Sequence, residues 1–323
     1  MLNCRIFPNG EFTLWDEKKN LEVTGPPAQP DFLGLTLLPI SHRVLLGLCD
    51  PPPERAKRGT KGITRHGART VRNAAFLLEE KYGPKNLTFL TCTLPWVSET
   101  AEYSAGREWA EIIRTFNQSL TRLLVAAGLP PTYVGCSEVQ GKRYQERGGL
   151  PLHVHLVFPG RKPFGHWVIS AAQFRNLWRN AVIARCPEFK AVKFSASVDC
   201  QPVRESAENY LGKYMSKGAP LLAAMLADDP GIIEFLPSAW WTCSANLRKA
   251  IAGRIAGGNL SAIKLIRDVR VGDSRVGFSA EVKAEMGDKN IVVVAVVGKL
   301  TAEGRRKYCH SWHLRPLGKS LIA

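Results

Sequence analysis

The chain has 323 residues, 45% of them hydrophobic, which suits one large domain or two moderate ones and excludes a chain too polar to build a core. Its 44 lysines and arginines against 28 aspartates and glutamates give a net charge of +16, an excess that points to nucleic acid ahead of an anionic membrane surface. No apolar run reaches membrane-span length, Met1-Leu2-Asn3-Cys4-Arg5 opens no apolar signal region, and the eight cysteines form no CxxC pair. The expected setting is therefore the reducing interior (cytoplasm) of a bacterial or other host cell, with buried, inert thiols and no membrane partner.

The N-terminal stretch reads as irregular, with Phe12–Trp15 and Leu21–Thr24 as a short hairpin and breakers at Gly25-Pro26-Pro27 and Pro51-Pro52-Pro53. A basic stretch follows, with Arg55, Lys57, Arg58, Lys61, Arg65, Arg69 and Arg72; it reads equally as a solvated loop or as a phosphate-contacting arm. It leads into a helix over 69–82. Residues 87–94 form a strand. Trp109, Ile113, Phe116, Leu120, Leu123 and Leu124 then recur at helical spacing over 104–127, as core, and Gly128 stops the helix.

Residues 133–140 and 152–158 read as a hairpin around a polar turn at 141–149. Ser170-Ala171-Ala172-Gln173 is a capping box for a helix that buries Phe174, Leu177, Trp178, Ala181 and Val182. Residues 191–198 alternate as a fourth strand, and Ser206 caps a short helix ending near Gly218. Beyond it, 238–255 reads as a helix carrying Trp240 and Trp241, and 274–300 as two strand-like runs. The order implies an α+β architecture, an antiparallel sheet covered by helices. The division is an N-terminal extension with a basic arm (1–68), a main domain (69–219) and a smaller C-terminal accessory region, helix then strands (220–323).

Two short segments carry chemistry. In Pro151-Leu152-His153-Val154-His155, residues two apart share a strand face, so both imidazoles project together while Leu152, Val154 and Leu156 face the core. Taken alone, an H-x-H more often marks an ordinary polar strand face than a metal site. Glu138 on the preceding strand adds a carboxylate, and Gln140 is the alternative third ligand. Mixed nitrogen and oxygen ligation with open positions suits Mn²⁺ or Mg²⁺, with zinc as a further option.

The second segment is Tyr210-Leu211-Gly212-Lys213-Tyr214-Met215-Ser216-Lys217. Tyr210 and Tyr214 lie on one helix face, about 5–6 Å apart at Cβ, and Lys213 and Lys217 repeat the same offset. Such a tyrosine pair usually packs on a core, but the repeated Tyr-x-x-Lys unit gives each phenol a nearby ammonium. Tyrosine is a poor nucleophile at its ordinary pKa of about 10; cations favour the phenolate, and a metal makes phosphorus more electrophilic. Attack on DNA leaves a 5′-phosphotyrosine and a free 3′-OH, and the retained ester energy makes the step reversible.

With these residues the chain resembles the HUH endonucleases, specifically the two-tyrosine rolling-circle replication initiators of small single-stranded DNA phages and related plasmids. Three blocks carry the resemblance in the family's order: Phe89-Leu90-Thr91-Cys92-Thr93-Leu94-Pro95, then Glu138 with His153-Val154-His155, then Tyr210 through Lys217. They span about 87–218. The resemblance implies a five-stranded antiparallel sheet with a metal site at its centre, one strand more than the pattern assigns. It implies His153, His155 and Glu138 as metal ligands, Tyr210 and Tyr214 as nucleophiles, and Lys213 and Lys217 as phosphate-positioning or leaving-group residues. The implied partner is single-stranded DNA at a replication origin. No GxxxxGK[ST] loop is present, and Gly318-Lys319-Ser320 lacks the upstream glycine, so no nucleotide cofactor is expected and unwinding falls to a host helicase.

A departure from the family pattern is the long, charged turn with Lys142, Arg143, Glu146 and Arg147, which itself is placed to touch DNA. Weaker signals are Cys309-His310 with His313, read as structural, and Trp240 and Trp241 near Arg248 and Lys249, read either as core or as a base-stacking, phosphate-holding patch. Asp199, Glu205 and Glu208 are candidate acid/base groups. Competing readings are a single-strand transposase, a mobilisation relaxase, a non-catalytic nucleic-acid-binding protein, and a metal-dependent hydrolase that uses water and leaves the tyrosines idle.

Overall fold

The structure is a computed structural model describing residues 2–16, 62–161, 167–257, 281–287, 290–303 and 305. Its described residues divide into two compact units, one comprising 7–9 and those from 62 to 255, the other 2–6, 10–16 and those from 256 to 305.

The first unit begins with α1 (Arg65–Tyr82), whose N-cap Thr64 accepts from the Gly67 amide at 3.1 Å. Then follow β3 (Leu87–Thr93), α2 (Glu99–Ala126), β4 (Val134–Val139), α3 (Gly141–Arg147), β5 (Leu152–Pro159) and α4 (Ala171–Ile183). The chain continues through β6 (Val198–Pro202), α5 (Ala207–Asp228), β7 (Trp241–Cys243) and α6 (Ala245–Gly253). The five strands form one antiparallel sheet in the order β6-β3-β5-β4-β7. The fold is α+β, with helices on both faces of that sheet.

Alternation along the strands sends two side-chain sets in opposite directions. Leu90, Cys92, Leu152, Val154, Leu156 and Phe158 pack with Trp109, Phe116, Phe174 and Trp178 of α2 and α4. Phe89, Val134, Cys136 and Val157 pack with Val71, Ala74 and Leu78 of α1, Leu211 and Met215 of α5, and Leu247 of α6. Central β5 is buried at every residue. The capping box at Ser170 forms as expected, with the Ser170 hydroxyl accepting from the Gln173 amide at 3.3 Å.

Four elements differ from the sequence expectation. The strand expected over 191–198 starts only at its last residue: Pro187 begins a 3-10 turn, Phe189 and Phe194 turn into the core, and the ladder with β3 begins at Val198. The polar turn after β4 coils into α3. The tyrosine helix passes Gly218 and Pro220 and ends at Asp228, because Leu222 and Met225 continue its apolar side into the core. Trp240 and Trp241 do not open a helix. Trp241 lies in β7, which pairs with β4 as the fifth strand; Trp240 enters the core on the α2 side and Trp241 packs on the α1 side.

At Gly135 β4 lies close against β5, and a Cβ there would sit 2.3 Å from the His155 carbonyl oxygen. Gly135→Ala is expected to cost about 1–3 kcal/mol of stability, read by urea unfolding. An unchanged midpoint would show that the strand relaxes freely.

The second unit contains β1 (Leu2–Ile6), β2 (Glu11–Asp16), β8 (Ala256–Gly257), β9 (Glu281–Gly287) and β10 (Asn290–Lys299), ordered β8-β1-β2-β10-β9 and antiparallel throughout. Phe12–Trp15 therefore does form a hairpin strand, but its partner is Leu2–Ile6. Leu21–Thr24, most of the basic arm and Cys309, His310 and His313 lie outside the described residues. Among the described residues no helix is long and apolar enough to cross a membrane. Six cysteines are described, and five of them are buried.

Candidate functional site

The register settles where Glu138 stands. It is directly opposite His153 across the β4–β5 ladder, while Cys136 is opposite His155. On the other side, Thr93 and Thr91 of β3 face His153 and His155. Glu138 Oε1 reaches diagonally to His155 Nε2 at 3.2 Å. The threonine hydroxyls lie 3.2 Å from His153 Nδ1 and 3.0 Å from His155 Nδ1. With both Nδ1 atoms engaged, His155 Nε2 meets Glu138 and His153 Nε2 is left for a ligand, an arrangement that orients imidazoles toward a metal.

The sequence treats the histidine face as polar surface; in the fold it lies beneath α1 and α5, and His153 and His155 are 7% and 3% exposed. Burial, then the neighbouring His155 and Arg143, pushes the His153 imidazole down to about 3. His153 is thus neutral with a lone pair to offer, and its Nε2 is buried without a hydrogen-bond partner among the described residues.

The tyrosines reach this patch from α5. Glu79 of α1 fixes the start of that helix, accepting from the Ser206 hydroxyl at 3.2 Å and the Ala207 amide at 3.0 Å. Leu211 and Met215 anchor it in the core, so Tyr210 and Tyr214 come down on Phe89, with ring centroids 4.7 and 5.7 Å away. Tyr214 stacks on His155 at 3.8 Å, and the two tyrosine rings are 6.3 Å apart. Both phenols and both imidazoles therefore share one side of the sheet.

Lys213 is solvent-exposed, and the side chain of Lys217 is outside the described ones. The Tyr214 phenol is raised above its ordinary value by burial first, then by Tyr210 and Glu138. The protein alone thus disfavours the Tyr214 phenolate; a cation beside Glu138 would reverse the sign of that influence.

Among the described residues no three His, Cys, Asp or Glu side chains are drawn together as a ready-made metal centre. What the fold supplies is the His155–Glu138 pair with the unpartnered His153 nitrogen alongside. Two imidazoles and one carboxylate fit a divalent ion of mixed nitrogen and oxygen preference. Gln140 lies past the end of β4, at the N-cap of α3, where its backbone N–H donates to the Pro151 carbonyl at 2.8 Å. Arg143 of the charged turn is folded inward onto Glu102 and the Leu94 carbonyl. Asp199 is exposed on β6 opposite Thr91, held by Gln201 Nε2 at 2.7 Å. Glu205 is exposed, and Glu208 accepts from Asn9 Nδ2 at 3.1 Å.

The threonines were invisible as site residues in the sequence, although Thr91 and Thr93 alternate on the strand in step with the histidines. Thr91→Val is expected to weaken Mn²⁺ binding about 10–100-fold by freeing the His155 ring, as measured by calorimetric titration. Unchanged affinity would remove Thr91 from the orienting shell. No protein-family model matches this chain, and no curated protein or solved structure matches it either.

Proposed function

We propose that this chain is a metal-dependent DNA-nicking and strand-joining enzyme of the two-tyrosine HUH type that initiates rolling-circle replication inside its host cell. The observation that supports this most is the stacking of Tyr214 on His155, itself 3.2 Å from Glu138, because it brings a nucleophile to a candidate metal patch from a distant segment.

In this reading His153, His155 and Glu138 hold a divalent cation, which supplies Lewis-acid polarisation of the scissile phosphate. Thr91 and Thr93 keep the imidazoles turned toward that phosphate, and Phe89 sets the height of both phenols above the sheet. A tyrosine oxygen forms a bond to phosphorus as the bond to the 3′-oxygen breaks. The phenolic proton passes to solvent, and the departing 3′-oxygen takes one up. The enzyme is left as a 5′-phosphotyrosine, and the 3′-OH primes synthesis. Lys213, exposed beside the tyrosines, offers charge to the strand's phosphates. The second tyrosine permits another cut before the first covalent end is released. A host helicase opens the duplex.

Single-stranded oligonucleotides from the protein's own replicon, incubated with Mn²⁺ or Mg²⁺ and run on a denaturing gel, test this. A metal-requiring, denaturant-resistant adduct absent from the Tyr210→Phe/Tyr214→Phe double variant is expected. Cleavage that survives the double variant would establish water-based hydrolysis. Absence of cleavage across tiled fragments of the whole replicon would leave a binding protein.

A further inference from the structure

The start of the tyrosine helix is held by a residue that no sequence pattern marked. Phe7, Pro8 and Asn9 lie in the turn between β1 and β2 and belong to the first unit. Asn9 is 0% exposed. Its backbone N–H donates to Asn73 Oδ1 of α1 at 3.0 Å, and its Nδ2 donates to Glu208 Oε1, in the first turn of α5, at 3.1 Å. Asn73 is also fully buried, and its own Nδ2 donates to the Arg69 carbonyl at 2.9 Å, which fixes the amide with its oxygen toward Asn9. The Arg69 guanidinium lies over the Phe7 ring at 4.5 Å and holds the turn against α1.

The first turn of α5 is thereby tied to α1 at two places. Glu79 accepts from the Ser206 hydroxyl and the Ala207 amide. Glu208 reaches Asn73 through Asn9, about 9 Å earlier along α1 at 1.5 Å per residue. One tie leaves a helix free to turn about its axis; two ties from successive residues, about 100° apart around it, do not. That rotation bears on the site, because Tyr210 and Tyr214 are about 40° apart around the helix. Tyr214 lies on His155 with ring centroids 3.8 Å apart, while Tyr210 lies 4.7 Å from Phe89. A carboxylate that accepts from a buried amide is a strong tie, since hydrogen bonds to charged groups contribute about twice what neutral ones do.

We propose that Asn9 is a positioning residue for this site: by bridging Glu208 to Asn73 it sets the rotation of α5 that lays Tyr214, and not Tyr210, on the His155 imidazole. Leu211 and Met215 fix where α5 crosses the sheet, but burial is non-directional, and the polar ties set the rotation. That this rotation chooses the nucleophile rests on the nicking reading above; the placement of the ring does not.

The test reads the ring and the reaction separately, in the full chain. In metal-free protein with ring-labelled histidine, the His155 proton resonance carries the ring-current shift of the Tyr214 face. Asn9→Ala is expected to move it toward its position in Tyr214→Leu. Asn9→Asp sets two carboxylates together and should move it as well. Asn9→Asp/Glu208→Gln should restore it, because that pair rebuilds the bond with donor and acceptor exchanged. In the reaction, the ratio of adduct rates for Tyr210→Phe over Tyr214→Phe should fall about tenfold when Asn9→Ala is added, the effect of one hydrogen bond to a charged group. Mn²⁺ affinity should not change, since the strands carry the metal patch.

A resonance that stays put overturns the proposal. So does a ratio that stays put because both tyrosines slow in equal proportion, which is what mere destabilisation gives. A swap that fails to restore the resonance does the same. Should Asn9→Ala not fold, Glu208→Ala removes the same bond from a half-buried position and must show the same shift and the same fall in ratio. A resonance moved and restored in a protein that never forms an adduct sinks the nicking reading and keeps Asn9 as the residue that sets α5. Adducts with an unmoved resonance and ratio sink this proposal alone.

Discussion

Tyr214→Phe is expected to lower first-turn adduct formation by on the order of 10³-fold or more, and Tyr210→Phe by less. The two phenols look equivalent in sequence, but among the described residues only Tyr214 has ring contact with a histidine, at 3.8 Å from His155. Tyr210 contacts Phe89 and its fellow tyrosine. Removing the Tyr214 hydroxyl keeps the ring and its stacking, so the change reads the nucleophile and not the packing. Because burial, Tyr210 and Glu138 all raise the Tyr214 phenol, its reaction should depend steeply on divalent cation concentration. Quantifying covalent adduct against time at several Mn²⁺ concentrations checks both parts. Equal losses from the two single variants would show that either phenol reaches the phosphate.

The second large effect concerns the fold. Arg143→Ala is expected to destabilise the protein by about 3–5 kcal/mol at pH 7, measured by urea unfolding. Arg143 pairs with Glu102, whose side chain is 0% exposed, and also donates to the Leu94 carbonyl at 2.6 Å. Without the guanidinium, the buried Glu102 loses its partner and must bind a proton to stay inside, while the Leu94 carbonyl loses its donor. Burial already pushes the Glu102 carboxyl from 4.5 up to about 7 in spite of Arg143. The native state therefore holds this proton more tightly than the unfolded chain does. Its stability contribution is full below pH 4.5 and is lost as pH rises to about 7, roughly 3 kcal/mol over the window. Glu102→Gln should flatten that slope. Arg143→Ala should recover stability on acidification, and Glu102→Leu/Arg143→Met should recover most of it at neutral pH. A pH-independent loss in Arg143→Ala would place the cost in the Leu94 contact instead.

Arg143 also illustrates what a sequence cannot disclose. In the pattern it belongs to a charged turn facing DNA; in the fold it is 15% exposed and faces inward, because the turn coils into a helix that carries it over Glu102. The fourth strand fails for a related reason. Residues 191–198 alternate convincingly, but alternation states only that two sides differ, and a ladder requires a neighbour with free amides. That neighbour, β3, becomes available only from Val198. The fifth strand was hidden by its shortness: Trp241–Cys243 is three residues, too few for a periodicity, and is a strand only because β4 has an open edge.

The sequence by itself determined the α+β class, the long helices, the capping box, and the pairing of His153 with His155 and of Tyr210 with Tyr214. Each follows from local geometry, the period of a strand or a helix. Tertiary structure alone decided that Glu138 faces His153, that threonines hold the histidine rings, that Tyr214 and not Tyr210 lies on an imidazole among the described residues, and that an asparagine on α2 ends with an unmatched polar atom at a cavity wall. These depend on the register between strands and the crossing of α5 over the sheet. Both are set by how Phe89, Leu211 and Met215 pack together, a relation among distant residues that no local pattern encodes.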